Sequence, residues 1–228
     1  MLKGVIFDLD GTLTEFTLDY VSAREEIVDF LLERGIRIGS AARRITDVLD
    51  EAHERLKRGD KASEFSEIKR IAYKKVAKYE HEAALKTKLH PGAIEVLEKV
   101  RGMGLKVAVV TNNNRSVVDM LLGRLGIEHF FDVVICREDV SEYKPKPDSI
   151  RKAVEEMGIR AEEAVCVGDS SIDVEASRRA GVLCIAVPIG VAKVDDLRRH
   201  NPDYLAGDLF EVMGIVEELY GSQMSPGE

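Results

Sequence analysis

The chain has 228 residues, of which 45% are apolar, and a net charge of −8 at pH 7. The length allows one large domain or one domain with an insert. The acidic balance argues against a dedicated binder of nucleic acid or of an anionic membrane, and no apolar run approaches the roughly 20 residues that span a bilayer.

Residues 2–8 read as a buried parallel strand, and it begins so near Met1 that no signal peptide is expected. At its end stands Asp8-Leu9-Asp10-Gly11-Thr12. Residues i and i+2 of a strand share a face, so the two acids lean the same way. Two close carboxylates repel unless a cation lies between them or one holds a proton, and either arrangement suggests chemistry. Residues 17 to 86 carry no convincing strand. Helical spacing marks Val21, Ile27, Val28, Leu31 and Leu32, with a stop at Gly35. Ser40 is placed to cap a second helix carrying Ile45, Val48, Leu49, Ala52 and Leu56. Asp60 or Ser63 is placed to cap a third with Phe65, Ile68, Ile71, Ala72 and Val76, and a short fourth is expected over 80–86.

From Pro91 the texture alternates. Helices are predicted over 92–102, 115–124, 147–157, 172–180 and 208–219. Strands are predicted over 106–110, 132–136, 164–168, 183–187 and 203–206, and the tail from Gly221 to Glu228 reads as frayed. Short apolar strands alternating with helices make an α/β protein, a doubly wound Rossmann-like parallel sheet. The core is expected to comprise 1–15 and 88–228, with an all-helical domain over 16–87 inserted in it. Cys136, Cys166 and Cys184 are widely spaced in apolar runs, so they read as reduced core residues of a cytoplasmic protein. One Gln and four Asn against 32% charged residues lean towards a thermophilic source.

In such a sheet, ligands bind at the carboxyl ends of the strands. Asp8 and Asp10 follow the first strand. Thr111-Asn112-Asn113-Asn114 follows the second, and Gly168-Asp169-Ser170-Ser171-Ile172-Asp173 follows the strand over 164–168. Tyr143-Lys144-Pro145-Lys146-Pro147 precedes a helix nearby. Singly, each has an ordinary explanation as a helix cap, a first-turn acid or an extended turn. Together they offer oxygen ligands for a hard divalent cation, with Mg²⁺ the natural fit, beside cationic and hydrogen-bonding groups for an anion.

These four stretches, Asp8-Leu-Asp-Gly-Thr-Leu, Val109-Val-Thr-Asn, Lys144-Pro-Lys-Pro and Val167-Gly-Asp-Ser-Ser-Ile-Asp, resemble in order the four motifs of the haloacid dehalogenase superfamily. Leu89-His-Pro-Gly and Ala176-Ser-Arg-Arg-Ala-Gly fit as well, and the helical insert resembles that family's cap. The likeness is greatest to the phosphatase branch with phosphoglycolate-phosphatase-like enzymes. It implies that Asp8 is the nucleophile and Asp10 the general acid and base, with a raised pKa. It implies Mg²⁺ held by the Asp8 side chain, the Asp10 backbone carbonyl and Asp169, with Asp173 supporting. It implies phosphate bound by Thr111, Asn112 and Lys144, with Lys146 the rival lysine. An acid at the second position disfavours dehalogenase and phosphonatase chemistry, while a phosphomutase stays open. From another class, a receiver domain also joins Asp, Thr, Lys and Mg²⁺, but its acceptor lies on a later strand and it has no such insert. A catalytically silent binding protein is the other alternative.

The resemblance also implies a cap that covers the site and opens for exchange, hinged near Thr14-Glu15-Phe16 and Lys86-Thr87-Lys88. Its basic residues (Arg37, Arg43, Arg44, Arg55, Lys57, Arg58) are candidates for a second anionic group, beside the ordinary reading as a solvated face. The partner is then a small phosphorylated metabolite. Phosphoglycolate is the first candidate, with sugar phosphates, nucleotide monophosphates and pyrophosphate beside it. Monomer and homodimer are both open.

Overall fold

The computed structural model describes residues 1–221; the expected frayed tail beyond Gly221 lies outside them. Contacts divide the chain into two compact units. One joins Met1–Phe16 to the residues from Thr87 onward, and the other is Thr17–Lys86.

The first unit is built on a six-stranded sheet. In chain order its strands are β1 (Gly4–Phe7), β2 (Lys106–Val110), β3 (Val133–Ile135), β4 (Ala164–Gly168), β5 (Leu183–Ala186) and β6 (Tyr204–Leu205). All pairings are parallel and the spatial order is β3-β2-β1-β4-β5-β6. The chain runs outward from β1 to β3 and then returns to β4 on the other side of β1. The switch point of this doubly wound sheet therefore lies between β1 and its neighbours, at their carboxyl ends. Val5, Ile6 and Phe7 are all buried, as a strand covered on both faces requires. Register puts Ile6 beside Ala108 and Cys166, and these join Ile150, Ala153 and Met157 in one core cluster.

The helical unit holds α1 (Tyr20–Leu32), α2 (Ile45–Arg58) and α3 (Phe65–Lys86). Its core is Ala23, Ile27, Leu31, Val48, Leu49, Ala52, Ile68, Ala72 and Val76. The expected starts shift. Asp19, through its side chain, accepts from the Ser22 amide to begin α1. Ser40 does not cap α2; the chain enters it at Arg44, whose amide donates to Asp47, while the Tyr20 hydroxyl meets the Ile45 amide at 2.5 Å. A 3-10 turn at Ala62–Glu64 precedes α3, so neither Asp60 nor Ser63 caps it. The separate fourth helix is absent because α3 runs unbroken for 22 residues; nothing between Val76 and Lys86 is a Gly or Pro that would stop it.

In the first unit the helices are α4 (Ala93–Gly102), α5 (Arg115–Leu125), α6 (Asp148–Met157), α7 (Ser171–Ala180), α8 (Val194–Arg199) and α9 (Leu209–Gly221). The short α8 was not expected. It has a single buried side chain, Leu197, too little apolar periodicity to reveal a helix. The Cys residues are free and buried.

Candidate active site

β1 ends at Phe7, level with Val109 and Val167 of its neighbours. Asp8 thus stands beyond three strand ends, anchored by its amide to Val167 O at 2.9 Å. Asp169 follows β4 directly, and Asp173 lies in the first turn of α7, where a carboxylate suits the helix N-terminus. One oxygen from each of Asp8, Asp169 and Asp173 lies within 4.8 Å of the others.

Lys144 enters this trio from the turn before α6, preceding a cis peptide to Pro145. Its ammonium is 3% exposed and donates to Asp8 Oδ1 at 2.6 Å, Asp173 Oδ1 at 2.6 Å and Val110 O at 2.9 Å. An ammonium has three protons, and all three are engaged. Lys146 is the more exposed of the two lysines, and none of its side-chain atoms meets the trio's oxygens within salt-bridge distance.

The electrostatics follow from burial. Burial raises the Asp8 carboxyl well above the usual range, and Asp173 and Asp169 push it the same way against the pull of Lys144. Asp169 is pushed up to about 7, by burial first and Asp173 second, against the Val191 amide and Lys144. Burial alone would lower Lys144, but Asp173 and Asp8 outweigh it and hold the lysine above its ordinary value. Three carboxyl groups face one ammonium in a buried space, and the raised pKa values of Asp8 and Asp169 reflect how costly uncompensated negative charge is there. Oxygen donors in that state suit a hard divalent cation.

Asp10 turns elsewhere. Its Oδ1 accepts from Thr14 Oγ1 at 3.2 Å and its Oδ2 from Asn113 Nδ2. Its side chain is outside the cluster of Asp8, Asp169 and Asp173. Thr111 is buried, and its hydroxyl accepts from the Asn113 amide at 3.2 Å, which leaves its own proton to donate. Asn112 gives its side-chain amide to Lys144 O at 2.9 Å, while its Oδ1 is a buried acceptor without a partner among the described residues.

A family profile described as haloacid dehalogenase-like hydrolase matches residues 5–187, from within β1 to just past β5. The chain belongs to the haloacid dehalogenase-like hydrolases. It is similar to a glyceraldehyde 3-phosphate phosphatase of Methanopyrus kandleri, at 30% identity over 96% of this chain and 99% of that one. It is similar to the pyrophosphatase PpaX of Halalkalibacterium halodurans, at 28% identity over 94% and 97%. Among solved structures it resembles a predicted phosphoglycolate phosphatase from Haemophilus somnus, with TM-score 0.67 and 25% identity over 94% and 98%. It is an enzyme of the branch of this hydrolase family whose relatives are phosphatases.

Within this family's frame, the structure adds residues that the sequence reading passed over. The loop after β5 brings Val191, whose amide donates to Asp169 Oδ2 at 2.7 Å. A Cβ on Gly190 would overlap that same oxygen and Gly11, while Gly11 itself has φ +89 and would meet Asp169 Oδ2 at 2.6 Å. A side chain at either position would drive into Asp169, so two glycines seat it. Arg137, buried after β3, donates from Nη1 to Asn112 O at 3.0 Å and from its amide to Asn113 O at 3.1 Å. The rule that ligands gather at strand carboxyl ends points to both loops, although the one after β5 carries no acid before α8 to draw attention.

Proposed function

We propose that the chain is a Mg²⁺-dependent phosphatase that hydrolyses a small phosphorylated metabolite through an aspartyl-phosphate on Asp8. The observation that carries this reading is the seat of Asp8. It stands at the switch point with Lys144 at 2.6 Å and two further carboxylates beside it. Asp8 attacks phosphorus in line and the bond to the leaving oxygen breaks. Asp10 gives that oxygen its proton. Asp10 then takes a proton from water, which attacks phosphorus and releases Asp8 and inorganic phosphate. Lys144 has its protons engaged, so it acts by charge, offsetting what gathers on Asp8 and the phosphoryl group. The Thr111 hydroxyl and the Asn112 stretch hold phosphate oxygens. The ion is assigned to the Asp8 side chain, the Asp10 backbone carbonyl and Asp169, with Asp173 supporting. When bound, it supplies charge neutralisation between nucleophile and phosphate.

The relatives named above act on different phosphates, so descent supports a substrate class and not one substrate. The unit Thr17–Lys86 is the proposed specificity-setting cap. The three free buried thiols suit a reducing compartment, which favours the cytoplasm, and no described helix is long and apolar enough to cross a membrane.

The test is hydrolysis of p-nitrophenyl phosphate with Mg²⁺. Wild-type turnover is expected to be lost in Asp8→Asn and in EDTA; equal rates in wild type and Asp8→Asn would sink the proposal. A panel of phosphorylated metabolites, read by kcat/KM and by free phosphate, then identifies the substrate. Isomerised ester without free phosphate would mark a mutase.

A further inference from the structure

Three consecutive asparagines follow β2, and each does something different. Asn112 gives its side-chain amide to Lys144 O at 2.9 Å. Asn114 caps α5, its Oδ1 accepting from the Ser116 amide at 3.0 Å. Asn113 donates from Nδ2 to Asp10 Oδ2, across 103 residues of sequence. Its own backbone is fixed on both sides: its amide donates to Thr111 Oγ1 at 3.2 Å, and its carbonyl accepts from the Arg137 amide at 3.1 Å.

Asp10 sits just past β1, in a tight turn where the Gly11 amide donates to Thr14 O at 2.6 Å. Thr14 Oγ1 is 3.2 Å from Asp10 Oδ1 but equally 3.2 Å from Leu9 O, so its single proton is shared between two acceptors. The Asn113 amide is a dedicated donor on a loop held at both ends. A carboxylate on a short turn keeps one orientation when a second, independently fixed element grips it.

From this geometry we propose that Asn113 is a positioning residue for Asp10. It ties the acid's carboxylate to the Thr111 loop, so that the group delivering the proton and the group holding phosphate keep one mutual geometry. The proposal rests on the reading of Asp10 as general acid, and its test separates the two. The leaving oxygen takes a proton from Asp10 as its bond to phosphorus breaks, so loss of that delivery is felt most by a basic leaving group. Phenolate is more basic than p-nitrophenolate, and the two esters are nearly the same shape.

The experiment is single-turnover release of phenol and of p-nitrophenol from the two aryl phosphates, which isolates the first step from hydrolysis of the phospho-enzyme. Wild type, Asp10→Asn, Asn113→Ala and Asn113→Ser are compared, with thermal unfolding for each. The expected result is that Asn113→Ala slows phenyl phosphate by about tenfold or more and p-nitrophenyl phosphate by less than about threefold, a part of the roughly 10² to 10⁴ that a general acid contributes. The same bias, larger, is expected in Asp10→Asn. If Asp10→Asn shows no bias, the general-acid reading fails. If Asp10→Asn is biased while both Asn113 variants slow the esters equally or not at all, Asn113 does not position Asp10 and the proposal is overturned. Asn113→Ser keeps a small polar side chain, and it decides the matter should Asn113→Ala not fold.

Discussion

Lys144 is the residue whose removal is most informative. Its ammonium is buried and satisfies two carboxylates and a carbonyl at once. Lys144→Met would leave Asp8 and Asp173 facing each other with the charge uncompensated, and breaking a buried pair in this way costs about 3–5 kcal/mol. Urea unfolding in EDTA should register that loss, together with a fall in turnover. An unchanged midpoint would mean that the lysine's contacts with the two acids add nothing to stability. At this scale much of the site was legible in the sequence. Asp8, Thr111, Lys144, Asp169 and Asp173 each lie beyond a strand or in a turn beside one, and their types suit an anion and a cation. Asn113, Thr14 and Val191 were not legible. Their contributions are single hydrogen bonds, two of them tying loops far apart in sequence, and neither an asparagine run nor a backbone amide announces its partner.

Elements seat these residues, and glycines decide how closely. The loop after β5 reaches Asp169 because Gly190 has no Cβ. Gly190→Ala would push against Asp169 and Gly11, an overpacking of the sort that costs about 1–3 kcal/mol. The half-point of Mg²⁺ activation should move to higher concentration; an unmoved half-point would show that the loop can yield without disturbing Asp169. Gly123, inside α5, has open space where its Cβ would be. Gly123→Ala should therefore raise stability by about 0.5–1 kcal/mol, since the helix interior penalises glycine. The parallel strands were legible to within a residue or two, because short, wholly apolar runs bounded by turn residues permit few other structures. The helical unit was legible in its apolar stripes and not in its caps. Ser40, Asp60 and Ser63 have the right chemistry to cap, yet α1 and α2 begin at Asp19, Asp47 and the Tyr20 hydroxyl, and α3 follows a 3-10 turn. Capping residues are frequent in loops, and tertiary contacts choose among them.

Across the whole molecule, two sets of carboxylates push stability in opposite directions with pH. Glu163 accepts from Lys3 at 2.8 Å and from the Arg160 amide at 2.9 Å, and its pKa is held down at about 2, by Lys3 first, against an ordinary 4.5. A depressed carboxylate stabilises above its unfolded pKa, so this contribution is present above about pH 4.5 and is lost as pH falls towards 2. Asp169 is the reverse. Its pKa is raised to about 7 from 3.8, so the folded metal-free protein binds its proton more tightly than the unfolded chain. Stability is then lost as pH rises from about 4 to 7. Thermal unfolding in EDTA should show both limbs. Glu163→Gln should remove the acid one and Asp169→Asn should flatten the neutral one. Asp8 is raised as well and keeps part of that limb, so an undiminished neutral limb in Asp169→Asn would refute its assignment. Addition of Mg²⁺ at neutral pH should raise the melting temperature, since a ligand at 100 times its Kd adds about 2.7 kcal/mol. No Mg²⁺-dependent shift in wild type would refute the proposed ion site.

The position of β1 also bears on how the chain comes to be folded at all. Gly4 pairs with Lys106 on one side and Ala164 on the other. The first of the six strands to be synthesised is thus the central one, and it stays without β2 until residues 106–110 have been made and without β4 until residues 164–168 have. The helical unit, whose packing lies within residues 17–86, has no such wait. Local helical contacts form fast and distant strand pairings form slowly. During synthesis the chain therefore carries an exposed Gly-Val-Ile-Phe edge beside completed helices, and that edge is where a nascent chain would be held by a chaperone or would stick to its neighbour.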